Sequence, residues 1–422
     1  MSDAWVSSVR KLFPALARTF NDCPAVFLDG PAGTQVPEVV IQAISRYLRE
    51  SNANLGGTFF TSCETVEWMR AAHQAVADFL GTDDPDTVAF GPNMTTLNFA
   101  LSRAIARTWR KGDEIIVTRL EHDSNFTPWI TAAREQGARV RYVDIHVEDC
   151  TLDLECLRSL LSDRTRLIAV GCASNATGTR NPIEAICQSA REVGALSVVD
   201  AVHFAPHERI DVRRFGCDFL LCSAYKFFGP HLGILWGRRQ HLENIAPYKL
   251  RPAPHALPGR WMTGTQSHEA IAGAKAAVDY LATLGGATLS CPEKDLILSS
   301  ADRRTALDAA FERIKSYESQ LIWQMIDGLK SMPHVKLWGI TDRARASERL
   351  PTVAVTLACL KPIEAARRLA AQGFCVWHGN YYALPLTERL GLEPDGMLRI
   401  GVVHYNTSEE VDRFLTALEQ LS

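Results

Sequence analysis

The run Phe219-Leu220-Leu221-Cys222-Ser223-Ala224-Tyr225-Lys226 ends an apolar stretch on a serine and, three residues later, a lysine. Bounded by Gly216 and Gly229, it reads as a buried strand of a parallel sheet. Such a strand delivers Lys226 to the carboxyl edge of the sheet, where open α/β folds bind ligands. An amine at that place is partly desolvated, which favours its neutral form and suits Schiff-base chemistry with an aldehyde. Alone, a Ser-x-x-Lys spacing reads first as an ordinary surface lysine. A second residue changes the reading. Leu196-Ser197-Val198-Val199-Asp200 is another short apolar run, closed by a carboxylate 26 residues before Lys226, and one crossover fits between the two. A carboxylate and an amine at one sheet edge are the pair that pyridoxal phosphate requires. The lysine binds the aldehyde and the Asp keeps the pyridine nitrogen protonated, so that the ring accepts electrons from a substrate carbanion.

The elements that must hold this pair follow from the same pattern. Strands and helices alternate from Phe27 to about Gly285, which predicts a doubly wound, mainly parallel sheet. Val88-Ala89-Phe90-Gly91-Pro92-Asn93-Met94-Thr95-Thr96-Leu97-Asn98 reads as a strand, a turn and the start of a helix that runs through Ala106. Free amides at that helix start suit a phosphate; an ordinary Asn or Thr cap fits equally well. A polar, irregular joint is expected from about Gly286 to Arg304. Beyond it come a helix through Ile326, strands at Thr352–Leu357 and Leu398–Val403, and a closing helix at Glu409–Gln420. The expected division is an N-terminal helical segment (1–24) packing on the small domain, a large domain (25–285) and a smaller α+β domain (286–422).

Composition narrows the function. A chain of 422 residues with a net charge of −3, no basic stripe and no apolar run of membrane-spanning length gives no argument for nucleic acid or a membrane. Its N-terminus lacks a secretory h-region. Eleven cysteines without a C-x-x-C pair or a zinc-ligand spacing fit reduced thiols in the cytoplasm and no metal.

Taken together, these motifs resemble those of aminotransferase class V proteins, and within that class the cysteine desulfurase-like proteins related to group II desulfurases and selenocysteine lyases. The resemblance runs from about Phe27 to the last helix. It implies the pyridoxal phosphate fold type I: a large domain with a mainly parallel seven-stranded sheet and a smaller α+β C-terminal domain. It further implies that Lys226 carries the cofactor and acts as general acid and base, and that His122 of Glu121-His122-Asp123-Ser124-Asn125 stacks on the ring and takes part in proton transfer. Asn93, Met94, Thr95, Ser223 and Tyr225 are expected around the phosphate. Asn175 of Ser174-Asn175-Ala176-Thr177-Gly178 is expected near the ring hydroxyl and the substrate, and His203 stands where the family has a glutamine that bonds the same oxygen. Thr265 of Gly264-Thr265 resembles the residue that reaches the partner's phosphate in a homodimer. Arg399 resembles the clamp for the substrate carboxylate, although by itself a structural ion pair reads as well. Ala32 and Gly33, in Leu28-Asp29-Gly30-Pro31-Ala32-Gly33, resemble the loop over the substrate pocket.

The chain departs from that pattern between Gly373 and Leu386. Aligning Gly379, Ala383 and Pro385 with the family's loop puts Tyr382 where a group II desulfurase has its persulfide-forming cysteine, and Trp377 where it has an arginine. Cys375, seven residues before Tyr382, is expected to be a small buried hydrophobe in a strand. Trp377, Tyr381 and Tyr382 imply a more aromatic, less cationic substrate pocket. The expectation is therefore carbon–sulfur bond cleavage of an amino acid by β-elimination without an enzyme persulfide. The alternatives are class V transamination or epimerisation, and a cofactor-binding protein without turnover.

Overall fold

The computed structural model describes residues 3–286 and 299–421. Seven strands form one sheet: β1 (Val88–Gly91), β2 (Glu114–Thr118), β3 (Arg139–Val143), β4 (Thr165–Gly171), β5 (Leu196–Asp200), β6 (Phe219–Ser223) and β7 (Gly233–Gly237), all largely buried except the edge strand β3. Their spatial order is β1-β7-β6-β5-β4-β2-β3. All neighbours are parallel except that β7 runs against both β1 and β6. In β6 and β7 every residue is buried, because both faces of the sheet are covered; the sequence there is accordingly a continuous apolar run rather than an alternating one. β5 and β6 are adjacent and parallel, with Asp200 opposite Leu221. Lys226 follows β6 at the end of the 3-10 turn Ala224–Lys226, so both chemical groups stand at one edge.

A second sheet of four antiparallel strands has the order β8 (Val335–Trp338), β9 (Thr352–Leu357), β11 (Met397–Gly401), β10 (Trp377–Gly379). Its core is separate from the large one and contains Val353, Val355, Leu398, Ile400 and Phe414. Helix α1 (Asp3–Arg10) touches both: Val6 lies in the smaller cluster and Val9 in the larger, while Arg10 pairs with Glu410 at 2.8 Å. Helix α2 (Met94–Ala106) runs from the end of β1.

Three expectations are corrected. The irregular joint proposed for Gly286–Arg304 lies largely outside the described residues, and Ser300–Arg304 already belongs to helix α3 (Ser300–Lys330). The strand expected to reach Val403 ends at Gly401, where Val403 turns its amide to the Asn406 side chain at 2.9 Å. Cys375 is half-buried, not buried: it sits in a two-residue strand beside Val26–Phe27, on a different sheet from Trp377 two residues on. Among the described residues, no helix is long and apolar enough to cross a membrane, and no cluster of His, Cys, Asp and Glu is placed to hold a metal.

Candidate active site

One cavity at the carboxyl ends of β1, β2, β4, β5 and β6 is lined by Asn93, His122, Asn175, Asp200, His203 and Lys226, with Met94, Thr95, Ser223 and Tyr225 closing one end. Lys226 is 8 % exposed, and its Nζ donates to the Pro31 carbonyl. Burial pushes its pKa down to about 7, helped by the positive charge of Arg399 and opposed by Asp200 and Asp29. Asp200 receives the Val202 amide at 2.8 Å, and burial raises it to about 6 against that bond and the Lys226 charge. His122 falls to about 3, first through burial and then through Lys226 and Arg399, so its imidazole is neutral at physiological pH.

The proposed phosphate end is built by a contact between two elements. The amide of Met94, at the start of α2, donates to the Ser223 hydroxyl at 3.2 Å. The Asn93 side-chain oxygen accepts from the Thr96 amide at 2.8 Å and so caps the helix, while Asn93, Thr95 and Ser223 all line the cavity. Gly233 makes this closeness possible: a Cβ there would lie 2.3 Å from the Asn93 carbonyl carbon. Tyr225 stacks on His231 at 5.0 Å, and its ring also meets the position of a Gly33 Cβ at 3.2 Å, tying the Pro31–Gly33 loop to the lysine turn.

The opposite side belongs to the small sheet. Arg399, 4 % exposed, donates to the Asn175 carbonyl at 2.8 Å and lies over the Tyr381 ring at 4.2 Å. The Asn175 amide donates in turn to the Tyr381 carbonyl at 2.9 Å, while its own Oδ1 is buried without a partner among the described residues. His203 Nε2 is 3.1 Å from Thr352 Oγ1. Tyr381, expected at the pocket surface, is instead buried, with its hydroxyl bonded to the Met397 carbonyl; it packs beneath the guanidinium. Trp377, 51 % exposed, is the cross-strand neighbour of Arg399, and Tyr382 is 71 % exposed. Thr265 does not enter this cavity. It is exposed in a separate surface hollow with Leu55 and Leu250.

Two residues lacked a role in the sequence reading. Glu121 lines the cavity and is 1 % exposed; burial raises it to about 8 despite three hydrogen bonds. Asp29 has a buried oxygen with no partner among the described residues and is raised to about 6 by burial, against the charges of Arg399 and Lys226. The signal for Asp29 was a carboxylate immediately after a short apolar run, Val26-Phe27-Leu28, as for Asp200; Glu121, which follows Arg119-Leu120, carried no such signal.

The donor set fits pyridoxal phosphate: an amine of lowered pKa for the aldehyde, a carboxylate for the ring nitrogen, a flat neutral imidazole, and a helix start with a hydroxyl for the phosphate. The aminotransferase class-V family matches residues 26–414. The chain belongs to that family. It is 29% identical over 431 residues to a cysteine desulfurase of Pectobacterium carotovorum subsp. carotovorum (strain PC1), a match covering 99% of this chain and 98% of that protein. A probable cysteine desulfurase of Xylella fastidiosa (strain 9a5c) is 30% identical, with 97% and 94% covered. The fold matches the apo cysteine desulfurase of Thermococcus onnurineus NA1 with a TM-score of 0.85 at 24% identity, covering 98% of this chain and 97% of that one. This class-V protein is thus a pyridoxal phosphate-dependent, cysteine desulfurase-like enzyme of fold type I.

Proposed function

We propose that the enzyme cleaves the carbon–sulfur bond of a cysteine-type amino acid by β-elimination. The observation that supports this reading is the meeting of Lys226 and Asp200 in one cavity, with Arg399 bonded to the lining residue Asn175 and its charge felt at Lys226, in a chain whose relatives are cysteine desulfurases. Bound pyridoxal phosphate supplies an electron sink for the carbanion at the substrate α-carbon. Arg399 receives the α-carboxylate, and its fork is held in orientation by Asn175 and Tyr381. Lys226, with a pKa near 7, takes the α-proton as a free amine. Asp200 holds the positive charge of the ring nitrogen, and the neutral His122 covers the ring face. The Cβ–S bond then breaks, sulfur leaves as a thiolate, and the remaining 2-aminoacrylate hydrolyses to pyruvate and ammonium. A phenol forms no persulfide, so Tyr382 leaves the sulfur to depart in solution.

The working unit in this proposal is a cytoplasmic homodimer in which Thr265 reaches the partner's phosphate. The exposed Leu55 and Leu250 beside Thr265 support a covered face there. The deciding experiment incubates the purified enzyme with cysteine and measures sulfide and pyruvate. Equal amounts of both are expected. Conversion of the cofactor to its amine form without sulfide would establish a transaminase, and α-deuterium exchange without net product an epimerase. A lysine-bound cofactor band that no amino acid perturbs would leave a binding protein without turnover.

A further inference from the structure

Glu121 accepts three hydrogen bonds and donates none. The Thr118 hydroxyl reaches Oε1 at 2.6 Å, the Gly171 amide reaches the same oxygen at 2.9 Å, and the Asn125 side-chain amide reaches Oε2 at 2.8 Å. These partners come from three places in the chain. Thr118 ends β2, Gly171 ends β4 and stands opposite Asp200 in the sheet register, and Asn125 lies in the turn after His122. Asn125 is itself fixed, because its Oδ1 receives the Trp129 indole at 3.1 Å and the Asn98 amide at 3.2 Å. Asn98 also donates to the Ser124 carbonyl at 2.8 Å, and Ser124 holds His122 Nδ1 through its amide at 3.1 Å with its hydroxyl at 2.7 Å. One buried side chain therefore ties the strand end beside Asp200 to the turn that carries His122.

We propose that Glu121 is a positioning residue whose carboxylate fixes the His122 turn against the ends of β2 and β4, so that the imidazole and the Asp200 carboxylate keep one spacing across the cofactor cavity. This rests on the assignment of His122 as the ring-facing imidazole. All three partners are donors and act against the burial that raises the group to about 8, so the arrangement is complete when both oxygens accept, in the ionised form, and the test is run above that pH. An amide in place of the Glu121 carboxylate would set its NH2 against the NH2 of Asn125. The Asn125 amide has no free orientation, because turning it over would set the same group against the Trp129 indole N–H. Buried donors left facing each other are costly, which gives this carboxylate its hold on the turn.

The arrangement supplies its own control. In Glu121→Gln the new clash opens the turn. In Glu121→Gln combined with Asn125→Asp, the oxygen of the introduced amide still accepts from Thr118 and Gly171, and its NH2 donates to the introduced carboxylate. That carboxylate accepts from Trp129 and Asn98 through its other oxygen, as the Asn125 carbonyl did. The swap keeps every hydrogen bond and moves only the charge.

The test measures visible circular dichroism of the bound cofactor without substrate, together with kcat and KM for sulfide release from cysteine. Glu121→Gln is expected to weaken the dichroic band and lower kcat roughly tenfold, the equivalent of one lost buried hydrogen bond, with KM little changed. The swap is expected to restore the band and bring kcat to within about threefold of the parent. A swap as impaired as the single variant would overturn the proposal in favour of the charge itself, and an unaltered Glu121→Gln would overturn it outright. If Glu121→Gln does not fold, Thr118→Val removes one donor alone; it must weaken the same band, and an unchanged band counts against the proposal. Absence of sulfide release from the parent enzyme refutes the lyase reading, while the dichroic comparison still decides the role of Glu121.

Discussion

Tyr382 lies face to face with His122, the ring centroids 5.5 Å apart and the planes inclined by 29°. The Asp123 amide donates to the Tyr382 carbonyl at 2.6 Å, so the backbone locks the two turns together as the rings stack. Tyr381 and Tyr382 both have left-handed φ values, 55° and 58°, a conformation that non-glycine residues adopt only when their surroundings hold them there. Tyr382 thus shields from the solvent side the imidazole that Glu121 holds from within.

Removing that shield is expected to return water to His122. Burial is the first cause of its low pKa, so Tyr382→Ala raises the value from about 3 toward the ordinary imidazole range. A proton NMR titration of the imidazole measures the shift. The same variant is expected to change the relative rates on cysteine and bulky thioethers; an unchanged ratio would remove Tyr382 from the substrate wall. Tyr382→Cys tests the loop in the other direction: its thiolate is expected to attack the substrate sulfur directly, so that the enzyme gains the mass of one sulfur atom while the Cβ–S bond breaks and the carbon skeleton leaves as alanine in place of pyruvate.

Lys226 governs how cofactor loading depends on pH. Its folded pKa, about 7, lies below that of a free lysine, so the amine is available above pH 7 and protonated below it. The rate of pyridoxal phosphate attachment to the apoprotein, followed by absorbance, is expected to rise through pH 7. By linkage, the unfolded chain holds one more proton on this residue between pH 7 and about 10.4, so the group's contribution to apoprotein stability increases with pH across that window. Lys226→Ala abolishes both effects and the covalent band, and is expected to lower activity by roughly 10²–10⁴-fold or more.

In the proposed reaction Arg399 binds the substrate carboxylate through a preset fork. Arg399→Lys keeps the charge but loses the fork and the ring contact with Tyr381 at 4.2 Å. The expected effect is a fall in kcat/KM of roughly 10- to 100-fold, seen mainly in KM, as for a lost charge-assisted hydrogen bond. Steady-state kinetics on cysteine measures it.

Gly233→Ala is expected to damage the phosphate end at a distance from the chemistry. The added methyl meets the Asn93 carbonyl carbon at 2.3 Å, and the start of α2 must retreat from Ser223. A cost of about 1–3 kcal/mol in thermal stability and a weaker affinity for pyridoxal phosphate should appear together, read by calorimetry and fluorescence titration.

The parts of this site that were legible in the sequence were those set by local pattern. The continuous apolar runs 196–200 and 219–223 announce strands covered on both faces, and the residue that ends each run must then stand at the sheet edge. Asn93 read equally as a phosphate residue or a helix cap, because its side chain carries both an acceptor oxygen for a cap and a donor NH2 for a phosphate; the oxygen caps the Thr96 amide. Glu121 was not legible because its meaning lies in partners at 118, 125 and 171, and only the sheet register brings the last of these near. Tyr381 was placed on the pocket wall for its ring, yet the Met397 carbonyl draws its hydroxyl inward. Cys375 was misjudged because an alternating run does not reveal that its two halves pair with different strands.

Helix α3 contributes Leu307, Phe311 and Ile314 to the large core and Leu321, Met325 and Leu329 to the small one within 31 unbroken residues. It works as a beam shared by two rooms. A swing of the small sheet about the large one would have to bend that beam or strip one set of anchors from its core. Substrate admission is therefore expected to fall to the loops, the Pro31–Gly33 segment and the Tyr381–Tyr382 turn, rather than to a swing of the small sheet.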